Sequence, residues 1–173
     1  MIIRAARTTE FEAVRAFYHA IIDGIGDSAV SAGWKKDIYP APEFLRESIR
    51  GGELFAAVEG NAIIGAMVLN HRCNAEYETI RWPTSAEAAE VTVIHALGVH
   101  PAFTRRGCAK EMVRFALDRA RAQGQKAVRL DVLKGNLYAE KLYAGMGFRY
   151  LHTLPMYYED TGWTDYELYE YPL

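Results

Sequence analysis

Apolar positions along the chain follow two spacings, and the shorter one predicts seven strands. Alternating or short continuous apolar runs that are bounded by turn-forming residues are typical of strands. Glu-Gly-Asn at 59–61 separates two such runs and predicts a hairpin. The runs occupy residues 2–5, 54–58, 62–69, 91–99, 127–133, 148–154 and 166–171.

In four other segments the apolar residues recur every three or four positions, which predicts helices. Proline stands in the first turn of one of them, and glycine follows the end of each, as is common at helix starts and stops. The predicted helices run from a cap at Thr8 or Thr9 to the loop at Gly24–Ala29, over Pro42–Arg50, over Gly107–Gln123, and from a cap at Asn136 to about Gly145.

The order of these elements predicts a single mixed α/β (α+β) domain over residues 1–173. A strand, a helix and a second strand follow one another between 91 and 133, and such a crossover makes the two strands parallel. The segment from about His71 to Ala89 is polar and irregular. It fits a lid or substrate loop and an ordinary surface loop equally well.

Composition places the chain among ordinary globular proteins. Of 173 residues, 50% are hydrophobic and 24% are charged, and the net charge of -2 gives no electrostatic reason to bind nucleic acid or an anionic membrane. No run approaches the ~18 apolar residues of a membrane-spanning helix, and residues 1–7 lack the apolar segment of a signal peptide. Cys73 and Cys108 form no disulfide framework. We therefore expect a reduced, cytoplasmic protein.

The stretch Ala96–Lys110 carries the first candidate for a functional site. An apolar strand runs into a Pro-marked turn and a cationic Gly loop, after which an amphipathic helix begins. Backbone N–H groups and the positive end of a helix then meet at one spot, which binds phosphate without a dedicated side chain. Taken alone, Thr104–Ala109 fits an ordinary strand-to-helix turn equally well.

The usual nucleotide and metal motifs are missing from the sequence. Gly24-x-Gly26-x-x-Ala29 has the spacing of a dinucleotide fingerprint, but it follows a helix rather than a strand. No phosphate-loop motif is present, and the five histidines show no HExxH or comparable pairing. We therefore expect no metal and a less usual phosphate ligand.

A second feature, further along the chain, favours a ligand site. Asn136, Ala139 and Tyr143 are three and four residues apart, so they share one face of the short helix. That face presents an amide, a gap in which a thin ligand can lie, and a phenol. Taken singly, Asn136 is equally well a helix cap and Tyr143 a core aromatic.

Together, these features make residues from about 91 to 148 resemble the GNAT superfamily of acyl-CoA-dependent N-acyltransferases. The family loop Gln/Arg-x-x-Gly-x-Gly/Ala falls on Thr104-Arg-Arg-Gly107-Cys-Ala109. The later pattern Asn-x-x-Ala-x-x-Leu-Tyr-x-x-x-Gly-Phe falls on residues 136–148. Thr104 stands where the family has Gln or Arg, which leaves open whether Arg105 or Arg106 supplies positive charge.

The resemblance implies a GNAT-like fold, a mostly antiparallel sheet whose central parallel strands splay around acyl-CoA, with flanking helices. It also implies direct transfer of an acetyl group from acetyl-CoA to a primary amine of a small molecule, without an acyl-enzyme. Tyr143 is the implied acid for the leaving sulfur. The residues implied to bind acetyl-CoA are Leu97, Gly98, Val99, Thr104, Arg105, Arg106, Gly107, Cys108, Ala109, Lys110, Asn136, Ala139 and Tyr143.

For the base that deprotonates the amine, the sequence offers alternatives. The run from His95 to Phe103 is similar to a strand of arylalkylamine N-acetyltransferases in which a histidine assists deprotonation, and imidazole titrates near neutral pH. A half-buried, hydrogen-bonded His95 without this role is equally well supported. Glu90 and a water relay are the other candidates. Cys108 stands where the family has Ile or Val, so we interpret it as core packing rather than as a nucleophile.

Aromatic residues are the candidates for the acceptor end of the cleft. An aromatic wall can hold an apolar or arylalkyl amine, or a cation over a ring face. The alternatives are a protein or peptide acceptor and a non-catalytic acyl-CoA-binding module. The family also implies homodimerisation, for which the tyrosine-rich C-terminal strand is the candidate surface. The aromatic candidates are Trp34, Tyr39, Trp82, Tyr157, Tyr158 and Trp163.

Overall fold

A computed structural model describes residues 1–25 and 32–173, and it contains seven strands and four α-helices in that part of the chain. The strands are β1 (Ile2–Ala5), β2 (Leu54–Glu59), β3 (Ala62–Asn70), β4 (Val91–Val99), β5 (Ala127–Leu133), β6 (Arg149–Tyr158) and β7 (Gly162–Pro172). The helices are α1 (Phe11–Ile25), α2 (Pro42–Arg50), α3 (Cys108–Ala122) and α4 (Leu137–Gly145). Short 3-10 turns cover Thr8–Glu10, Ala75–Thr79, Ala88–Glu90 and Pro101–Phe103.

All seven strands form one sheet in the order β1-β2-β3-β4-β5-β7-β6. Every neighbouring pair is antiparallel except β4 and β5, which are parallel. Those two strands pair only where Val91–Val93 meets Ala127–Arg129. Beyond these residues they part, so a cleft opens between their carboxyl ends. The predicted mixed sheet with a splayed central parallel pair is confirmed.

Side chains of the central strands alternate between two faces, and helices cover both. On β3, Met67 and Leu69 pack in one core cluster with the buried face of α3. Ala66 and Val68 point the other way and pack with α1 and α2. Because the period of a strand is two residues, this alternation gives three layers with the sheet in the middle.

The structure differs from the predicted elements at the carboxyl end of the chain. The β6 strand continues to Tyr158 and β7 begins at Gly162, so the two form a long hairpin rather than two short strands. Pro155 interrupts the strand pattern but is tolerated because β6 is the last strand of the sheet, where a missing backbone donor breaks no ladder on its open side.

The start of the first helix also differs from the prediction. Neither Thr8 nor Thr9 caps it; both lie in the 3-10 turn that precedes α1. The Glu10 carboxylate instead accepts a hydrogen bond from the backbone N–H of Arg7 at 2.8 Å. The predicted stop at Gly24–Ala29 lies outside the described residues from position 26 onward. No helix in the described ranges is both long enough and apolar enough to cross a bilayer.

Candidate active site

A cavity of about 100 Å³ occupies the cleft between the parted ends of β4 and β5. One wall comes from the two strands and another from α4, while the segment 32–40 and the β6–β7 hairpin line the rest of it. The lining residues are Ala32, Trp34, Tyr39, Ile94, His95, Ala96, Leu97, Asp131, Val132, Leu133, Asn136, Ala139, Tyr143, Tyr158, Asp160 and Tyr166.

A β-bulge shapes the β4 side of the cleft. Ala66 pairs with Gly98 and Val68 with His95, so β4 places two residues, Ala96 and Leu97, against one residue of β3. Ala96 has φ of +49°, and its carbonyl accepts a hydrogen bond of 2.8 Å from the buried Tyr18 hydroxyl of α1. The bulge interrupts the ladder beside the cavity and exposes backbone polar groups of β4 to a ligand.

The amino end of α3 has the features of an anion site. Its cap is Gly107, which has φ of +82° and no side chain to bond the first-turn N–H groups. A Cβ built on Gly107 meets no atom within 4 Å, so the space above the loop is open. Those N–H groups, together with the helix dipole, can therefore receive a pyrophosphate.

Of the two loop arginines, Arg105 is the one that has no ion-pair partner among residues 1–25 and 32–173. Arg106 donates from Nη2 to Oε1 of Glu59 at 3.0 Å, whereas Arg105 forms no salt bridge with any described residue. Thr104 and Lys110 are also exposed at the loop. The observed partners thus favour Arg105 as the unpaired charge at the anion site.

The Cys108 side chain belongs to the core, as interpreted from the sequence. It is 4% exposed and lies so close to Gly65 that a Cβ there would be 3.0 Å from its Sγ. Burial raises the pKa of the Cys108 thiol, which disfavours the thiolate that a nucleophile needs.

The structure places the three residues of the predicted ligand face on one surface, since Asn136, Ala139 and Tyr143 all line the cavity. Asn136 caps the helix by accepting from the Ala139 N–H at 3.3 Å. Tyr143 is 6% exposed, and its hydroxyl makes no hydrogen bond within the described residues. Burial, and then the charge of Asp131, raise the pKa of Tyr143, so it keeps its proton across the physiological range.

His95 lines the same cavity from β4. Its Nε2 lies 2.9 Å from the Arg72 carbonyl and 3.0 Å from Oδ1 of Asn70. The Asn70 atom beside Nε2 is its side-chain oxygen rather than its nitrogen, because the oxygen also accepts a hydrogen bond from the Arg72 N–H. The Asn70 nitrogen donates to Glu53 instead. Both neighbours of Nε2 are acceptors, so Nε2 carries the hydrogen and Nδ1 carries the lone pair. Burial lowers the pKa of His95 to about 4.

Two other predicted site residues lie away from the cavity. Glu90 is at the opposite end of β4, where its carboxylate accepts from Lys126 at 2.7 Å, and this contact lowers the pKa of Glu90. Trp82 donates from its indole to the Tyr77 carbonyl at 2.8 Å and stacks 4.2 Å from the Arg129 guanidinium. Neither residue lines the cleft.

Some of the remaining aromatic candidates line the cavity, and the others lie outside it. Trp34, Tyr39 and Tyr158 line the cavity, with Tyr39 between the other two at ring distances of 6.1 and 6.0 Å. Tyr157 and Trp163 are 52% and 67% exposed, and their tilted rings contact each other outside it.

Glycine at position 98 makes room for the Trp34 wall. A Cβ at Gly98 would lie 3.3 Å from the Trp34 ring and 2.6 Å from Ile21. Gly98 therefore supports the acceptor end through packing.

Two carboxylates of the cavity were missed from the sequence. Asp131 lies on β5, and Asp160 lies in the turn between β6 and β7. The available signal for Asp131 was an acidic residue within the apolar run Ala127–Leu133. For Asp160 there was no signal, because the turn's place in the fold depends on the long hairpin. Within residues 1–25 and 32–173 no group of three or more His, Cys, Asp or Glu side chains could hold a metal ion.

Comparisons with known proteins agree with this geometry. The sequence profile of the Acetyltransferase (GNAT) family matches residues 16–148. A Haemophilus ducreyi protein named ribosomal protein bS18-alanine N-acetyltransferase is 28% identical over 94 residues, which are 54% of this chain and 65% of that protein. The match thus spans slightly less than two thirds of that relative.

Solved structures are similar over the whole chain at low sequence identity. The structure of yncA from Salmonella typhimurium with its cofactor acetyl-CoA has a TM-score of 0.72 at 17% identity, covering 100% of this chain and 94% of that one. The Drosophila melanogaster polyamine N-acetyltransferase has a TM-score of 0.70 at 17% identity, covering 99% of each chain. At these identities the likeness describes the fold.

Proposed function

The chain belongs to the acetyltransferase (GNAT) family, and on that premise we propose that it transfers an acetyl group from acetyl-CoA to a primary amine of a small molecule. The observation that carries the proposal is the small cavity in which the cleft ends. An apolar cavity of ~150 Å³ accepts benzene, so a cavity of about 100 Å³ at the end of the cleft fits a small amine better than a folded polypeptide.

The residues on the α3 side fit acetyl-CoA as the donor. The uncapped first turn of α3 and the open space above Gly107 suit the pyrophosphate, with Arg105 as the nearby cation. The bulge at Leu97 and the Asn136 amide would hold the pantetheine arm between the parted strands. When bound, acetyl-CoA supplies the acetyl group as a thioester and departs as a thiolate.

Two of the ionisable groups that line the cavity, Tyr143 and His95, are the candidates for the two proton transfers. Tyr143, which holds its proton because it is buried, donates toward the leaving sulfur. His95 presents the unprotonated Nδ1 and accepts a proton from the attacking amine, directly or through a water. Glu90 has no part in this scheme because it lies at the far end of β4. Cytoplasmic location and homodimerisation stay predictions from the sequence.

The proposal is tested by supplying purified protein with acetyl-CoA and a panel of small amines and of peptides with an N-terminal alanine. We expect CoA thiol release and an acetylated product with the small amines, at a kcat/KM well above that of the peptides. A preference for the peptides would assign the chain to protein acetylation. Binding of CoA without thiol release on any acceptor would make it a non-catalytic module.

The role of His95 has its own test, in the variant His95→Gln. Glutamine keeps a donor in the place of Nε2 and removes the basic Nδ1, so we expect kcat/KM to fall by about 100-fold while the fold is retained. Because the pKa of His95 is about 4, the imidazole is already neutral above pH 6, and the loss should be equal from pH 6 to 9. An unchanged kcat/KM would rule out His95 as the base. A wild-type inflection near neutral pH that this variant removes would contradict the depressed pKa.

A further inference from the structure

The acceptor end of the cavity contains two carboxylates that make no salt bridge with any residue that the structure describes. Asp131 accepts hydrogen bonds on Oδ2 from the Tyr77 and Tyr158 hydroxyls, at 2.8 and 3.0 Å. Its other oxygen accepts none from the described residues, and no salt bridge to these residues reaches it. Burial raises the pKa of Asp131, and the two phenol hydrogen bonds act against that rise only in part. A cation at the cavity wall would therefore favour the ionised carboxylate.

Of the two carboxylates, Asp160 has the greater need for a hydrogen-bond donor or a cation. It lines the cavity, is 3% exposed, and its Oδ1 is buried with no hydrogen-bond partner. Burial raises the pKa of Asp160; the backbone N–H groups of Asp160 and Thr161, and then the exposed Lys35, lower it to a lesser degree. Lys35 makes no salt bridge with Asp160. A buried carboxylate oxygen without a donor is costly, and a ligand that brings a donor and a positive charge removes that cost.

Aromatic rings complete the surroundings of these carboxylates. Tyr39 and Tyr166 both line the cavity, and the pKa of each phenol is raised by burial and also by the charges of Asp131 and Asp160. Both carboxylates therefore act on the same two rings and belong to one pocket. A pocket lined by ring faces and carboxylates suits an ammonium or a guanidinium group.

The reacting nitrogen cannot be the cation that this pocket needs. A primary amine attacks a thioester through its lone pair, so it must be neutral at that moment, and its proton leaves toward the base. The charge that complements Asp131 and Asp160 must then belong to another part of the acceptor. Resting on the proposed function, we propose that the acceptor carries a second cationic group, an ammonium or guanidinium, which binds between Asp131 and Asp160 while the first amine is acetylated.

A matched pair of substrates isolates the second charge. 1,4-Diaminobutane and 1-aminopentane have nearly the same length, and they differ in whether the far end is an ammonium or a methyl group. We expect kcat/KM for the diamine to exceed that for the monoamine by about 10- to 100-fold, the range of a charge-assisted hydrogen bond. The difference should lie mainly in KM, because the second cation binds without taking part in the chemistry.

Asparagine variants then identify the residues that bind this cation. Asp131→Asn and Asp160→Asn keep the shape of each side chain and remove its charge, so each should lower the kcat/KM ratio of diamine to monoamine by about tenfold or more. Glu159→Gln is the matched control, because Glu159 is exposed and adjacent to Asp160 in sequence. It removes one negative charge near the pocket but outside it, and should leave the ratio unchanged.

The outcomes distinguish this proposal from the function on which it rests. Equal kcat/KM for the two amines would overturn the second cation and leave the amine acetyltransferase intact. A diamine preference that survives in folded Asp131→Asn protein would also overturn it, even if Asp160→Asn fails to fold. If none of the amines causes release of the CoA thiol, the proposed function is wrong, and this inference fails with it.

Discussion

Replacing Tyr143 by Phe is expected to lower kcat by about 100- to 1,000-fold, the contribution of a well-placed general acid. The ring stays in place against Phe148, 5.4 Å away between centroids, so the cavity wall and the KM for acetyl-CoA should change little. Only the hydroxyl is lost, and it has no partner among the described residues that would be left unsatisfied. Steady-state kinetics with saturating amine, together with the Tm of each protein, measure the effect.

Tyr169→Phe is the control for this substitution. Tyr169 is also buried, and its ring lies 6.5 Å from that of Tyr143. Its hydroxyl donates to Glu167 at 2.6 Å, and it does not line the cavity. If the loss of any buried phenol lowers kcat, both variants should show the decrease. If Tyr143 is the general acid, only Tyr143→Phe should show it. If kcat of the Tyr143→Phe protein stays within a few-fold of the wild type, the acid must be sought elsewhere.

Local rules account for the parts of the site that could be predicted from the sequence. The glycine loop before α3 and the asparagine cap before α4 are dictated by residues within one turn of each position. The spacing of Asn136, Ala139 and Tyr143 fixes their common face as soon as the helix forms. These features need no knowledge of the rest of the chain, and the structure shows all of them.

The bulge in β4 could not be predicted in this way. Alanine rarely adopts the positive φ of Ala96, and nothing in its neighbours favours it. The conformation is held by a hydrogen bond from Tyr18, which is 78 residues away in sequence. A strained backbone of this kind persists only where the surrounding structure specifies it.

The acceptor end was only partly predicted for a related reason. An aromatic residue in an irregular segment has the same sequence pattern whether it lines a ligand pocket or packs on a distant side chain. Trp34 and Tyr39 do the former, while Trp82 stacks on Arg129, 47 residues further along. The carboxylates are similarly defined by long-range neighbours, since the phenols on Asp131 come from positions 77 and 158.

The contact that fixes Trp82 also anchors the irregular segment 71–89 to the sheet. Arg129 of β5 donates from Nε to Glu170 of β7 at 2.9 Å and from Nη2 to the Thr84 carbonyl at 2.8 Å. Glu170 in turn accepts from the Thr84 N–H at 3.0 Å. The two side chains are 11% and 1% exposed, so this is a buried ion pair whose remaining bonds hold a loop. The segment is thus neither a free lid nor a loosely attached surface loop at this point.

Replacing Arg129 by Met should therefore cost about 3–5 kcal/mol of unfolding free energy, because it leaves the buried Glu170 carboxylate without its counter-ion. For a domain of this size that corresponds to a fall in Tm of about 6–20 °C. Denaturant unfolding, followed by fluorescence or circular dichroism, measures the change directly. A second substitution, Glu170→Met, made in the same protein should restore most of the loss, since it removes the orphaned charge.

Lys134 and Asp165 provide the comparison that identifies burial as the cause. They also join β5 to β7, at 3.0 Å, but their side chains are 54% and 47% exposed. Lys134→Met should cost far less unfolding free energy than Arg129→Met, because water solvates the remaining carboxylate. If Arg129→Met costs no more than Lys134→Met, the buried pair does not anchor the segment. If the double variant stays as unstable as Arg129→Met, the loss arises from the bonds to Thr84 and the stacking on Trp82 rather than from the charge left behind.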